Sequence, residues 1–291
     1  MKKFALGSLA LILFISACSS TNQNSLTSKN TKKMVTKSEM TNKQKAIKII
    51  ESLPSKNTDA VMQFVSPTKY IQHNPNVGDG RDQLIGLIEA GLVKKANIVR
   101  CFQDGDYVVA HSEYDFFGPK VAFDIFKFEN GVATEHWDNL ADKSEQPNPS
   151  GHTQLDGPTK IIDLDKTEAN KAIVNDFIQT ILIGQKYDQM PNFFDGDNYI
   201  QHNTQVPDGL SGLGGALKAL AEQGIYMVYT KNHLLLGQGN FVLAVSEGSF
   251  GSNPTAYYDL FRVENGKIAE HWDVMETIGK ATDAKNEHGK F

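Results

Sequence analysis

The sequence predicts an α+β fold used twice. Three observations carry that prediction: blocks that recur along the chain, a helix-period opening to each copy, and a run of short strands that closes each copy. Tyr70-Ile71-Gln72-His73-Asn74 returns as Tyr199-Ile200-Gln201-His202-Asn203, and Asp79-Gly80 returns at the same offset as Asp208-Gly209. Glu129-Asn130-Gly131 and Glu135-His136-Trp137-Asp138 return as Glu264-Asn265-Gly266 and Glu270-His271-Trp272-Asp273, a few residues having been gained in between. The chain has 2 Trp, and they fall at matching places in the two copies. Self-similarity of this kind marks one structural unit copied, and 291 residues accommodate two domains of ordinary size.

In chain order, Met1-Lys2-Lys3 is a short positive start, and Phe4 to Ser16 is an apolar run of signal-peptide length. It is too short for a transmembrane helix, which needs about 20 apolar residues. Ile15-Ser16-Ala17-Cys18 resembles the lipobox of bacterial lipoproteins, which implies cleavage before Cys18 and acylation of that residue. Residues 19–40 are rich in Ser, Thr, Asn and Lys, a composition with little to bury, and are expected to form a disordered tether. The implied location is the cell envelope: the periplasmic side of the outer membrane if there is one, the outer face of the cell membrane otherwise. With Cys18 lipidated, Cys101 has no disulfide partner, and its apolar, strand-like surroundings read as core.

The first copy is expected over 41–145, a linker over 146–160 and the second copy over 161–291. Ala46, Ile49, Ile50 and Leu53 follow the i, i+3, i+4, i+7 rule of an amphipathic helix, as do Ala169, Ala172, Ile173, Phe177, Thr180 and Ile181. A short second helix follows, with Asp59 and Asp188 as N-caps. A third helix is expected near Asp82–Ala90 and Leu213–Gln223. In the first copy the strands are Asn97–Gln103, Tyr107–Phe116, Val121–Phe128 and Val132–Asp138. The Pro/Gly/Asn-rich run Gln146–Pro158 has linker composition. Helices followed by a meandering antiparallel sheet form an α+β arrangement, and a curved sheet of this kind leaves a cavity in its concave face. Gly289-Lys290-Phe291 reads as a frayed end, with tucking over a pocket as the alternative.

Asn130-Gly131 and Asn265-Gly266 are two-residue type I′ hairpin turns by sequence, since both central positions need positive φ. Taken literally, that turn pairs Glu129 with Val132, Lys127 with Thr134, Ile125 with His136 and Phe123 with Asp138. Phe123, Ile125, Thr134, His136 and Asp138 then share one face, and Phe126, Phe128, Glu135 and Trp137 the other. In the second copy the first face carries Tyr258, Leu260, Ala269, His271 and Asp273, and the second carries Phe261, Val263 and Trp272. A carboxylate two residues from an imidazole, among apolar neighbours, is suited to moving protons near neutral pH. The alternative for His136 and His271 is a buried histidine bonded to a neighbour.

The two repeated blocks, above all Asn265-Gly266-Lys267-Ile268-Ala269-Glu270-His271-Trp272-Asp273, resemble the SnoaL-like branch of the nuclear transport factor 2-like superfamily. The resemblance runs from about residue 41 to 291 and implies a cone-shaped α+β barrel with an internal pocket. In polyketide cyclases of that branch the Asp of the His-x-Asp hairpin is the acid/base of an aldol closure. That role would fall on Asp138 and Asp273, with His136 and His271 beside them. His73, Asn74, His202 and Asn203 would line the pockets from the other side, joined by His111, Phe123 and Tyr258. The copies differ: Val245 stands where the first has His111, and Tyr257-Tyr258 where it has Ala122-Phe123.

The composition narrows the partners. Net charge is −5 with no Lys/Arg stripe, which speaks against nucleic acid. No Gly-rich phosphate loop occurs between strand and helix, and no cofactor is expected. His73, His111, His136 and Asp138 could converge on a metal, but their spacing matches no ligand pattern, so none is expected. The remaining readings are cofactor-free acid/base chemistry on a small apolar carbonyl compound, non-catalytic binding of an apolar ligand or protein partner, and a structural module. Relatives dimerise through the convex sheet face, so the resemblance implies an intramolecular pseudo-dimer with Trp137 and Trp272 buried.

Overall fold

Thr41 starts the first helix with a capping box: its hydroxyl accepts the Gln44 amide at 3.2 Å and its own amide donates to the Gln44 side chain at 2.9 Å. The computed structural model describes residues 39–291; the expected signal, Cys18 and almost all of the tether lie outside the described residues. Met40–Phe291 form one unit.

The first half runs α1 (Asn42–Ser52), α2 (Asp59–Phe64), β1 (Ile71–Gln72), α3 (Arg81–Glu89), β2 (Val93–Asp104), β3 (Tyr107–Phe116), β4 (Pro119–Glu129) and β5 (Val132–Asp142). The second runs α4 (Thr167–Phe177), β6 (Ile200–Gln201), α5 (Gly209–Glu222), β7 (Met227–Gln238), β8 (Phe241–Phe250), β9 (Asn253–Glu264) and β10 (Lys267–Thr277). Each half is a five-stranded sheet, ordered β1-β5-β4-β3-β2 and β6-β10-β9-β8-β7, with β1 and β6 parallel to their neighbours and the rest antiparallel. Helices cover one face, where Ala46, Ile49, Ile50 and Ile88 pack on Val108, Ala110 and Phe126, and Val174, Phe177 and Ile181 pack on Val242, Ala244 and Phe261.

The repeated Asp-Gly earns its place in both halves. Asp79 and Asp208 each accept the amide of the β1 or β6 Gln at 2.9 Å. Gly80 and Gly209, at φ of 94° and 83°, turn the chain back so that their amides reach Tyr70 O and Tyr199 O at 2.8 and 2.7 Å. The expected second-helix caps differ. The N-cap of α2 is Thr58, with Asp59 its first residue, and Asp188 lies in a 3-10 turn over Tyr187–Asn192.

Both Asn-Gly turns are of type I′, with φ of 50° and 80° at Asn130 and Gly131 and of 51° and 76° at Asn265 and Gly266. Glu129 pairs with Val132, but the register beyond differs from the literal one. Thr134 bulges, and Glu135 pairs with Lys127, His136 with Phe126, Trp137 with Ile125 and Asp138 with Asp124. Ala269 bulges in the same way, which sets His271 opposite Phe261 and Asp273 opposite Asp259. In β5 the bulge falls where the strand changes partner on its other edge, from Ser66 N, which donates to Ala133 O, to β1 at Glu135. One extra residue flips every side chain of the neighbouring strand to the other face. Phe123, Ile125, Tyr258 and Leu260 therefore point outward with the two Trp residues, and Asp124, Phe126, Asp259 and Phe261 point inward.

The outward faces of the two sheets meet. Phe123, Ile125, Val109 and Trp137 share a buried cluster with Phe241, Leu243, Val245, Tyr258, Leu260 and Trp272. Asn139 on β5 donates to Ala256 O at 3.0 Å and Val274 O at 2.8 Å, stitching the sheets together. Two straps cross between the halves. The run read as a linker is anchored on the second half, where Asn148 donates to Gln201 O and Val206 O at 2.7 and 3.0 Å. The C-terminal run is anchored on the first half in the same manner, with Asn286 donating to Asn74 O and Val77 O at 2.7 and 2.9 Å. The end is not frayed: Lys290 is 3% exposed, and Phe291 stacks on His233 at 4.2 Å.

Candidate functional site

A cavity of about 640 Å³, measured with its open mouth, enters the first half between helices and sheet. Its walls are apolar, from Ile49, Leu53, Leu84, Leu87, Val93 and Phe116 among others, and its floor carries Gln72, Asn74, Asp124, His136 and Asp138. The floor follows from strand alternation. Along the β1 segment Tyr70, Gln72 and Asn74 face in, while β4 and β5 send Asp124, His136 and Asp138 to the same side.

Gln72 Oε1 accepts the Asn74 amide at 3.0 Å, so it is an acceptor and His136 Nδ1, 3.0 Å away, donates to it. His136 Nε2 then faces Asp124 Oδ1 at 3.3 Å. Tyr114 donates to the other Asp124 oxygen at 2.8 Å. Burial pushes the Asp124 carboxyl up from its ordinary value, against the hydrogen bond and charge of His136. Asp138 Oδ2 accepts from Asn74 Nδ2 at 2.9 Å. Its Oδ1 is buried without a hydrogen-bond partner, and the Lys290 ammonium stands 3.7 Å away.

The second half repeats the floor. His271 lies between Gln201 Oε1 and Asp259 Oδ1, both at 3.0 Å, and Asn203 donates to Asp273 at 2.7 Å. Burial works to lower the His271 pKa, but the hydrogen bond and charge of Asp259, with the charge of Asp273, outweigh it and raise it. Burial raises the Asp273 carboxyl, against the charge of His271. The cavity here, about 590 Å³ with its mouth, is lined by Gln201, Asp259 and His271, with Phe177, Met190 and Tyr229 among the walls. Asp273 and Asn203 are not among its lining residues.

Several expected pocket residues sit elsewhere. His73 and His202 follow the alternation to the outer face, stacked on Trp137 and Trp272 at 4.6 and 4.5 Å and bonded to Glu135 and Glu270. Phe123 and Tyr258 left the pocket face with the bulge. His111 stacks on Phe123 at 4.3 Å in the same outward cluster, beside Arg100, and burial holds its pKa well down. His73 and His111 thus cannot join His136 and Asp138 around a metal. Cys101 packs against the first-half core, and burial raises its thiol to about 11, as suits a structural residue. The residues that sequence reasoning missed are Asp124, Asp259, Gln72 and Gln201. Their signal was present: an Asp at matching places inside two otherwise apolar strands, and the Gln inside the repeated block.

Two clusters of ligand-type atoms lie within 4.8 Å among the described residues: Asp124, His136 and Asp138, and His152, Asp156 and His202. In the first, both ring nitrogens of His136 are already bonded.

No protein-family model matches the sequence, and no curated protein matches it. Solved structures do match parts of it. An NTF2-like protein of unknown function from Cytophaga hutchinsonii is 17% identical, over 36% of this chain and 94% of its own, at a TM-score of 0.32. IdmH, a candidate polyketide cyclase from Streptomyces antibioticus, is 16% identical over 35% of this chain and 92% of its own, at 0.30. A candidate ketosteroid isomerase from Kribbella flavida is 13% identical over 40% and 83%, at 0.33. The same order of elements occurs twice, helices and a short parallel strand followed by four antiparallel strands. Each half is an α+β unit of helices on a five-stranded sheet. The described residues form a tandem of two such units.

Proposed function

We propose that the first nuclear transport factor 2-like half binds a small, largely apolar carbonyl compound and moves a proton on it. Asp138 takes a proton from the carbon next to the carbonyl. The His136–Asp124 pair beside it holds the proton that goes to the developing oxyanion. The observation that carries this reading is the placement of Asp138 among the lining residues of an apolar cavity, next to an imidazole–carboxylate pair. An apolar wall suits a ligand with little polarity, and a few convergent polar groups suit its orientation. The repeat of the floor in the second half supports the same class of role there, with His271, Asp259 and Asp273.

The setting is part of the proposal. The lipobox supports a lipid anchor on Cys18 and a place in the cell envelope, on the periplasmic side or the outer surface. The cluster around Trp137 and Trp272 supports an intramolecular pseudo-dimer. Non-catalytic binding in the same cavity is the second reading, favoured by how fully the polar floor is bonded to itself.

The test is exchange of α-protons of small apolar ketones in D2O, followed by NMR, with binding measured in parallel. Asp138→Asn is expected to slow exchange by about 100-fold or more, the scale of a lost acid/base group, while binding stays within about threefold. Exchange unchanged by Asp138→Asn sinks the catalytic reading. Binding without exchange in the native chain selects the second one.

A further inference from the structure

We propose that the second half carries a site for a divalent transition-metal ion of the zinc class, held by His152, Asp156 and His202. The site lies on the outer face of the sheet, where the crossing strap covers Trp272, and is separate from both cavities. His202 comes from the end of β6, and His152 and Asp156 come from the strap.

His202 Nε2 is 2.8 Å from Glu270 Oε1, and Glu270 is in turn held by Arg262 at 2.6 Å. A neutral His202 gives its Nε2 hydrogen to that carboxylate and leaves a lone pair on Nδ1. That lone pair faces Asp156 Oδ1 at 2.8 Å and Thr153 O at 2.8 Å. Nδ1 thus meets two oxygens at hydrogen-bond distance, a contact that a positive charge between them makes favourable, and Asp156 Oδ1 also accepts the Thr153 backbone N–H at 3.0 Å. His152 repeats the arrangement. Its Nε2 lies 3.2 Å from Asp208 Oδ2, and its Nδ1 faces the other Asp156 oxygen at 3.7 Å. Both imidazoles therefore turn the outer nitrogen to a carboxylate and the inner one toward Asp156, the orientation that carboxylate partners impose on metal-ligating histidines.

The dimensions fit. Around a zinc with ligands at about 2.0–2.1 Å, tetrahedral ligand atoms stand roughly 3.3 Å apart. His202 Nδ1 and Asp156 Oδ1 stand 2.8 Å apart, half an ångström short of that value, and one ligand atom from each of the three residues lies within 4.8 Å of the others. Two imidazoles and one carboxylate leave a fourth position for water, and they suit zinc and its first-row neighbours better than magnesium or calcium. Access exists, since the Asp156 and His152 side chains are 43% and 31% exposed. The strap is drawn in tightly: Arg100 donates to Leu155 O, Asp156 O and Pro158 O, and the Arg100 guanidinium lies 4.2 Å over the Trp272 ring.

The first half supplies an internal control. His73 and His288 stand there in the same roles, bonded to Glu135 and Asp79 at 3.0 Å each, with their rings 5.9 Å apart. His73 Nδ1 meets Gly289 O at 3.2 Å, and among the described residues no carboxylate pairs with it in the place of Asp156. The geometry thus assigns the ion to one half only.

The experiment uses the full chain, untagged, in detergent micelles and stripped with chelator. Zinc chloride is titrated in by calorimetry, and cobalt chloride is followed by its visible absorption. The expected result is one ion per chain at a micromolar Kd or tighter, weakened at least tenfold by His152→Ala and by Asp156→Ala and unchanged by His288→Ala. The part-exposed positions of His152 and Asp156 keep the fold intact, which circular dichroism and thermal unfolding verify. No binding, or binding that neither His152→Ala nor Asp156→Ala weakens, overturns the proposal. So does a His202 ring that 15N NMR shows doubly protonated and unmoved by zinc, since a proton then supplies the charge.

Discussion

His271 is clamped between Gln201 and Asp259, and that placement ties the stability of the second half to pH. Its folded-state pKa is raised above the ordinary value of 6.5. The folded chain therefore keeps this proton over a range where the unfolded chain has released it. The stabilisation is complete below 6.5 and is lost as pH climbs through the raised folded-state value. Asp273, also raised, pulls in the same direction from the ordinary carboxylate value of 3.8 upward. Stability measured by urea unfolding is expected to decline as pH rises above 6.5. His271→Gln, which keeps an amide to bond, is expected to flatten that slope. A native slope of opposite sign over this range, or an unchanged slope in the variant, counts against the assignment. His73 runs the other way, because burial lowers its pKa against the pull of Glu135, so its contribution fades as pH falls below 6.5.

At the scale of elements, what the sequence made legible and what it hid divide along one physical line. The repeat, the α+β order, the type I′ turns and the His-x-Asp hairpins are local features, written in residues next to one another. The bulges at Thr134 and Ala269 are not, because they arise where β5 and β10 change partner on the far edge, from Ser66 and Phe193 to β1 and β6. One unforeseen residue moved Phe123 and Tyr258 out of the pocket and Asp124 and Asp259 into it. The straps were hidden for a related reason. Polar, Pro/Gly-rich segments read as linkers whether they hang free or lie docked, and only the partner surface distinguishes the two. Gly157 shows how closely the first strap is docked. Its φ is 89°, and a Cβ there would meet Glu270 Oε1 at 2.5 Å and Trp272 Cζ2 at 2.9 Å. Gly157→Ala is expected to cost about 1–3 kcal/mol from backbone strain alone, read as a fall of several degrees in Tm. Gly151→Ala, at φ 92° with nothing within 4 Å of its Cβ, shares the strain but not the clash, and is expected to lose less. Equal losses in the two variants refute tight docking at Gly157.

At the scale of the whole molecule the two halves share what each needs to be stable. The outer sheet faces, with Phe123, Ile125, Trp137, Leu260 and Trp272, are buried against one another and under the straps. Each half is also strapped by the other's C-terminal run, through Asn148 on one side and Asn286 on the other. Unfolding one half would expose the apolar face of its neighbour and release both straps, a penalty that couples the transitions. Calorimetry is therefore expected to show a single transition whose van't Hoff and calorimetric enthalpies agree. At about 0.7 kcal/mol per residue near 60 °C, a unit of this size should give roughly 180 kcal/mol, whereas independent halves would each melt with about half that van't Hoff enthalpy. Trp272→Ala removes the centre of the shared cluster. If the coupling runs through that cluster, the variant should melt at lower temperature and begin to separate into two steps. Two steps in the native chain would mean that the halves stand alone and that the straps only tether them.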